Sequence, residues 1–596
     1  MKFFQTLIAA TLGTLIALFL VFIVLFITLS STSSDPEPYI RDNTVLKLKL
    51  SGNLPAQTST NPFDELFNQA VNNKVSLETL KENLAKAEVH DKIQGVWLEI
   101  DFISEGWANL EEAHRMISAF RDSSDKFVYA STNDLGLNEQ GYYLATAADS
   151  IFSPPESFFE FDGFYNQVTF LTGLFEKIGI EAQVSRSGKY KSAVEPYIRK
   201  DLSEDSEYQL REILNKTSGT FVDAVSRKTG KTSEEINGLM NSQPNLNSGF
   251  GYSNGLIDSL MYTDQVESHI KKRLGLEETA GLQTVTNKRY ARVTSETAGL
   301  EGNNTDDRIA VIYASGPILP DISSNSPFDN EQYITTTFFE KQLEEVREDD
   351  NVKALVVRIN SPGGSGSTSD AIWRMLQETK KDIPVIVSMG PVAASGGYYI
   401  AMAADSIVAD PTTITGSIGV FATKLNTKQL FNEELGITFD EVKSHDYADW
   451  LLPTNEFTDS EEKAFNDYVN RFYDTFITKV AEARGMTKEQ VDSVAQGRVW
   501  TGEAAKEQNL VDVLGGMDTA MSLAAEKAGI QEYDVVTYPK AKDLYQLLMG
   551  SAETRARALI GESWFGTPYS QDFARQLSIL KQQRALALFP YEITIQ

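Results

Sequence analysis

Apolar and polar positions along this chain fall into two alternating patterns. ALVVRI (354–359) and IPVIVSM (383–389) are short, nearly unbroken apolar runs rich in β-branched residues, as strands covered on both faces require. TSDAIWRMLQETKKD (368–382) follows the first run with helical spacing and closes on lysines, and SGGYYIAMAAD (395–405) follows the second. Strand, helix, strand, helix in this order predicts an α/β fold in which crossover helices join parallel strands. Ligands in such sheets bind beyond the carboxyl ends of the strands. The turns NSPGGSGS (360–367) and GPVAASGG (390–397) are predicted at two such ends.

The pattern occurs twice. VLKLKLSGNL (45–54) resembles IAVIYASGPI (309–318), and QGVWLEID (94–101) resembles KALVVRIN (353–360). GYYLATAADSIF (141–152) nearly repeats GYYIAMAADSIV (397–408), and NGLIDSL (254–260) matches QNLVDVL (508–514). Pairing Gly52 with Gly316, Gly141 with Gly397 and Asp258 with Asp512 keeps the matches in order, and their spacing drifts only slowly. Two tandem repeats of one fold follow, over 45–300 and 301–545, with a boundary near TAGLEGNNTDD (297–307) and a tail over 546–596 whose role stays open. Ahead of them, residues 3–29 form an uncharged apolar run long enough to span a bilayer with some tilt. It predicts an uncleaved transmembrane anchor over 1–30 and a linker over 31–44. Lys2 before the run, with Asp35 and Glu37 after it, places the N-terminus in the cytoplasm and the bulk of the chain outside.

The repeats differ in chemistry. The second has a glycine turn, VVRINSPGGS (356–365), and then Ser395 at the head of a helix. Acyl transfer needs a nucleophile and backbone N–H groups aimed at the developing oxyanion. Ser395 is the candidate nucleophile, the amides of Gly363 and Gly396 are candidate oxyanion donors, and Gly364 shapes the turn. In the first repeat the matching places read EIDFISEG (99–106) and NEQGYY (138–143), putting Glu139 opposite Ser395 and Gln140 opposite Gly396. That copy has the framework without nucleophile or oxyanion turn.

Composition narrows the chemistry. Of 596 residues, 83 are Asp or Glu and 54 Lys or Arg, giving a net charge of −29, which argues against a nucleic-acid partner. With no cysteine there is no thiolate nucleophile and no cysteine-bound zinc. The four histidines, His90, His114, His269 and His445, are scattered, so neither a histidine metal site nor a Ser-His-Asp triad is indicated; no metal and no cofactor is expected. A lysine whose pKa is lowered by desolvation can replace the histidine base. The stretch SRSGKYKSAVEPYIRKDLS (185–203), in the first repeat, supplies candidates.

Together GKYKSAVEPYIRKDLS (188–203), NSPGGS (360–365), AASGGYYIA (393–401) and TGSIGV (415–420) resemble the signal peptide peptidase A, or protease IV, family in its long double-repeat form. The resemblance implies two tandem repeats of the fold shared by Clp protease and the crotonases. It implies Ser395 as nucleophile, Lys191 rather than Lys189 as general base, and Ser417 holding the lysine amine. It further implies a homotetramer anchored in the plasma membrane, whose peptide substrates are remnant signal peptides and other hydrophobic segments cut on the extracytoplasmic (periplasmic) side. The rival readings are a crotonase-like enzyme acting on acyl-coenzyme A, an inactive scaffold that binds membrane-protein fragments, and a protease mainly for misfolded membrane or secreted proteins.

Overall fold

The computed structural model of the chain describes residues 37–57, 75–133, 135–242, 247–321 and 333–539, the single positions 13, 14 and 244, and the backbone of 586–588. The anchor expected at 1–30 lies outside these residues but for Gly13 and Thr14. Among the described residues no helix is long and apolar enough to cross a membrane.

Each half of the chain builds a parallel sheet. In the first, the strands run in the order Ser259–Leu260, Ser150–Ser153, Phe127–Ser131, Ile93–Ile103, Thr44–Gly52, Thr284–Thr286, every neighbouring pair parallel. In the second the order is Val499–Thr501, Ile414–Gly416, Val385–Ala394, Val352–Ser361, Arg308–Ser315, Asp534–Tyr538, and only the outer Val499–Thr501 strand is antiparallel. The apolar runs read from the sequence are the central strands: Leu355, Val356 and Val357 are fully buried between layers of helices. The Gly366–Thr379 helix returns the chain by laying Ile372 and Leu376, four residues apart, on the sheet.

The repeat shows in its hydrogen bonds. Tyr142 Oη donates to the Leu256 carbonyl at 2.7 Å, and Tyr398 Oη to that of Leu510 at 3.0 Å. The Ile151 amide donates to Asp258 and the Ile407 amide to Asp512, both at 2.7 Å. Asp149 accepts from Val128 as Asp405 accepts from Val385. A buried tyrosine needs a partner for its hydroxyl and a strand end needs an acceptor for its amide, so these pairs outlast the divergence of their surroundings.

Among the contacts that join the halves, two stand out. The Glu181–Ser187 strand of the first pairs antiparallel with Val420–Asn426 of the second, Ser187 opposite Val420 and Glu181 opposite Asn426. Deeper in, Arg358 from the second half reaches Glu112 at 2.7 Å and Asn109 at 3.1 Å in the first, while keeping Ser388 at 2.7 Å. Glu112 also accepts the Met517 amide at 3.0 Å. Both members of the Arg358–Glu112 pair are buried, so removing either leaves an uncompensated charge, at a cost of about 3–5 kcal/mol.

Two segments read as turns are partly strand. The Val385–Ala394 strand runs on through GPVAA because Val392, Ala393 and Ala394 pair with Ile414, Thr415 and Gly416, leaving Ser395 alone as the turn. Gly363–Ser365 forms a short strand of its own. Gly364 has φ +151° there, and a Cβ on it would lie 2.0 Å from the Ile318 carbonyl oxygen, so no other residue fits.

Candidate active site

Ser395 connects the Val385–Ala394 strand to the Gly396–Ala401 helix in one residue. Its φ of +55° and ψ of −112° belong to neither element, a strain of order 1–3 kcal/mol for a residue with a side chain. The Ser395 amide is held by the Gly416 carbonyl at 2.8 Å. The hydroxyl is thereby thrust out at the carboxyl end of the sheet, where it is buried.

Lys191 arrives from the other half. The Glu181–Ser187 strand carries the chain alongside Val420–Asn426, and a turn then delivers Lys191 next to Ser417, three residues before that partner strand begins. The turn is docked into residues 495–498: the Tyr190 amide donates to the Gln496 carbonyl at 2.9 Å. Gln209 pins it from behind, donating to Ser192 Oγ at 2.9 Å while accepting the Val499 amide at 3.2 Å.

At the meeting point Lys191 Nζ lies 2.8 Å from Ser395 Oγ, 3.0 Å from Ser417 Oγ and 3.1 Å from the Ser417 carbonyl. Lys191 is 1% exposed and Ser395 fully buried, and burial alone pushes the lysine amine well below its usual range. A neutral amine has two N–H groups and one lone pair. In that form the two oxygens of Ser417 can accept the N–H groups, leaving the lone pair toward the Ser395 hydroxyl. Ser417 holds this pose with φ +48° and its own amide on the Arg498 carbonyl at 2.7 Å.

The structure thus brings Ser395, Lys191 and Ser417 together. Gly363 and Gly364 lie on the short strand that follows Val352–Ser361 in the chain, which itself pairs with the strand leading to Ser395, and Gly396 is the next residue after Ser395. The Gly363 amide donates to Ser361 Oγ at 3.1 Å. The histidines are occupied elsewhere: His90 with Tyr290, His114 with Thr146, His269 against Phe152, and His445 beside Ser444.

The corresponding place in the first half is filled. Glu139, opposite Ser395 in the repeat, is buried and accepts the Asp162 and Gly163 amides at 3.0 and 3.1 Å. Burial, with Glu160 nearby, pushes its carboxyl up to about 8. The Gln140 side chain ties back to the amide and carbonyl of Glu105.

Sequence reasoning passed over Gln209 and Gly497. Gly497 has φ +75°, and a Cβ on it would lie 2.6–2.7 Å from the Cβ, Cα and N of Lys191. AQGRVW (495–500) has no spacing that singles it out; only the docking of the lysine turn does. Gly497→Ala is expected to lower kcat/KM for a peptide by about 10²-fold, since a displacement near 1 Å of a catalytic group has that effect. Gly485→Ala shares the positive φ, +63°, with open space around it, and is expected to leave kcat/KM within about 2-fold. Steady-state kinetics of the two variants side by side checks this.

Comparison with known proteins bears on the same residues. The profile of peptidase family S49 matches twice, over 121–277 and 377–531. The chain belongs to this family. That of Clp protease matches 327–412, the segment holding the glycine strand and Ser395. A chloroplastic serine protease SPPA of Arabidopsis thaliana is 37% identical over 83% of this chain and 71% of its own length. A Protease 4 of Salmonella typhi is 31% identical over 82% and 78%, and one of Haemophilus influenzae 27% identical over 94% and 93%. A solved structure of the 1510-N membrane-bound stomatin-specific protease, in mutant form, covers 39% of this chain and 98% of its own at 16% identity and a TM-score of 0.25. This member of family S49 is a serine peptidase of the double-repeat SppA type.

Proposed function

We propose that the protein is a membrane-anchored endopeptidase that cuts remnant signal peptides and other hydrophobic segments on the extracytoplasmic side of the membrane, with Ser395 as nucleophile and Lys191 as general base. One observation carries the reading: a buried lysine amine, within hydrogen-bonding distance of both oxygens of Ser417, sits 2.8 Å from a strained serine hydroxyl.

The neutral amine takes the Ser395 proton as Oγ attacks a peptide carbonyl. The oxyanion settles between the amides of Gly363 and Gly396. The first of these exchanges the neutral Ser361 hydroxyl for a charged acceptor, and charge-assisted bonds are roughly twice as strong. The lysine ammonium then protonates the leaving amine, and water, deprotonated by the same lysine, releases the acyl group. The surroundings that keep Lys191 neutral also suit apolar substrate side chains. The uncharged run 3–29 supports anchoring beside substrates left in the bilayer, and the long double-repeat form supports a homotetramer with its sites on an inner face.

The test is incubation of the purified protein with a fluorophosphonate probe, a library of apolar peptides and an acyl-coenzyme A thioester. Labelling confined to Ser395, with peptide cleavage and no thioester turnover, is expected. Thioester turnover without peptide cleavage would favour a crotonase-like enzyme.

A further inference from the structure

The strand that leads to Ser417 is gripped from the other half. Ile414–Gly416 follows a turn over 410–413, and the first half's Trp107–Ser123 helix holds two residues of that turn. Glu111 Oε2 accepts the Thr412 amide at 3.1 Å and the Thr412 hydroxyl at 2.6 Å. Arg115 meets the Asp410 carboxylate at 2.6 Å. Glu111 and Arg115 stand four residues apart and so share one face of the helix. Asp410 is fully buried, and Glu111 and Thr412 are buried with it. The helix comes this close because Gly106 stands at its head: a Cβ there would lie 2.2 Å from the Cβ of Pro391, on the strand that ends at the nucleophile.

From the turn to the site the chain is tied along its length. Thr413 Oγ1 donates to the Gly390 carbonyl at 3.0 Å and Thr415 Oγ1 to the Ala393 carbonyl at 2.7 Å. Ile414, Thr415 and Gly416 pair with Val392, Ala393 and Ala394, and Ser417 then presents its oxygens to Lys191. Packing at this density transmits a shift rather than absorbing it.

The other repeat shows what the turn needs for its own shape. Pairing Gly141 with Gly397 puts Pro154, Pro155 and Glu156 opposite Asp410, Pro411 and Thr412. The Pro154 carbonyl accepts the Ser157 amide at 3.2 Å, as the Asp410 carbonyl accepts the Thr413 amide at 3.0 Å. The same turn therefore closes without an aspartate or a threonine, and Glu156 is exposed. The groups that Glu111 and Arg115 hold occur in the copy whose next strand reaches Ser395, and they bond across to the copy that supplies Lys191.

We propose that Glu111 is a positioning residue for the peptidase site: through Thr412 it sets the Ile414–Gly416 strand, and with it the placement of Ser417 against the Lys191 amine, Arg115 on Asp410 being the second hold. The inference rests on the peptidase reading and adds to it a second debt of the catalytic half to the first, separate from the lysine.

The test compares Glu111→Ala with Glu111→Gln, whose amide oxygen can accept both Thr412 bonds. Burial already pushes the Glu111 carboxyl up, so an uncharged side chain of the same shape is a fair replacement. Per mole of folded protein and well below the melting temperature, Glu111→Ala is expected to lower kcat for an apolar peptide about 10–100-fold with KM within about 2-fold, since a displacement near 1 Å has an effect of this order. The Gln variant is expected to stay within about 3-fold of the unaltered chain in both constants. A residue that only stabilised the fold would lower the melting temperature and leave kcat of the folded fraction unchanged; that result, or equal losses in the two variants, would overturn the proposal. A double-mutant cycle with Ser417→Ala checks the route. The pair is expected to lose no more than about 3-fold beyond the larger single loss, whereas full multiplication of the two losses would mean that Glu111 does not act through Ser417. Should no form cleave any peptide, the reading of Ser395 and Lys191 fails while the hold is still measurable. Amide hydrogen exchange over 410–417 is then expected to be at least about 10-fold faster in the Ala variant than in the Gln variant, and equal exchange would sink the hold.

Discussion

Ser395→Ala is expected to lower kcat/KM for an apolar peptide by at least about 10⁴-fold, as nucleophile deletions in serine peptidases do, while the melting temperature stays close to that of the unaltered chain. The reason lies in how little the substitution disturbs. The backbone of residue 395 is held at φ +55° by the Gly416 carbonyl and the helix behind it, and alanine tolerates this no worse than serine. Both N–H groups of the Lys191 amine keep their Ser417 partners, so no buried donor is orphaned. Only the attacking oxygen goes. Turnover within about 10-fold of normal would remove Ser395 from the mechanism, and a large fall in melting temperature would mean that the loss reports unfolding.

Lys191→Met makes the opposite trade: activity falls and stability rises. Losing a general base lowers kcat/KM by about 10²–10⁴-fold, read in the same peptide assay. The gain in stability follows from linkage. In the unfolded chain Lys191 has the ordinary lysine value of 10.5, and in the folded chain burial holds it well below that. Between the two values the unfolded chain binds a proton that the folded chain does not, so stability rises with pH across this window. Below the folded value the protein bears the full penalty of burying an ammonium ion; above 10.5 that penalty is gone. Methionine, of similar length and uncharged, escapes it altogether. Chemical denaturation from neutral pH upward is expected to show the Met variant more stable at the low end, with the gap closing as pH approaches 10.5. The ascending limb of kcat/KM in the unaltered chain, where Lys191 loses its proton, belongs at a pH well under 10.5. A limb at the ordinary lysine value, or a gap that widens with pH, would mean that the amine is not held neutral.

Much of this was legible in the residues because the relevant constraints are local. Unbroken β-branched runs mark covered parallel strands, and Tyr142 and Tyr398 recur in step because each caps a carbonyl that its fold always leaves exposed. Ser395 stood out through the glycines around it. Lys191 did not. Its neighbours in sequence are unexceptional, and what sets it apart is 226 residues away in Ser417 and beyond that in Gly497, so periodicity could not find it and only the family resemblance pointed to it. Gln209 escaped for the same reason: it supports the lysine turn from a long helix whose pattern declares only which face is buried.

Pairing Glu181–Ser187 with Val420–Asn426 also tied the two halves to one history. A duplicated enzyme ordinarily keeps two complete sets of parts, and either copy can decay while the other carries on. With the proposed acid–base group in one copy and the attacking oxygen in the other, each became a spare for nothing. On that assignment, excising either half would discard one of the two reacting groups, so neither copy can stand in for the other.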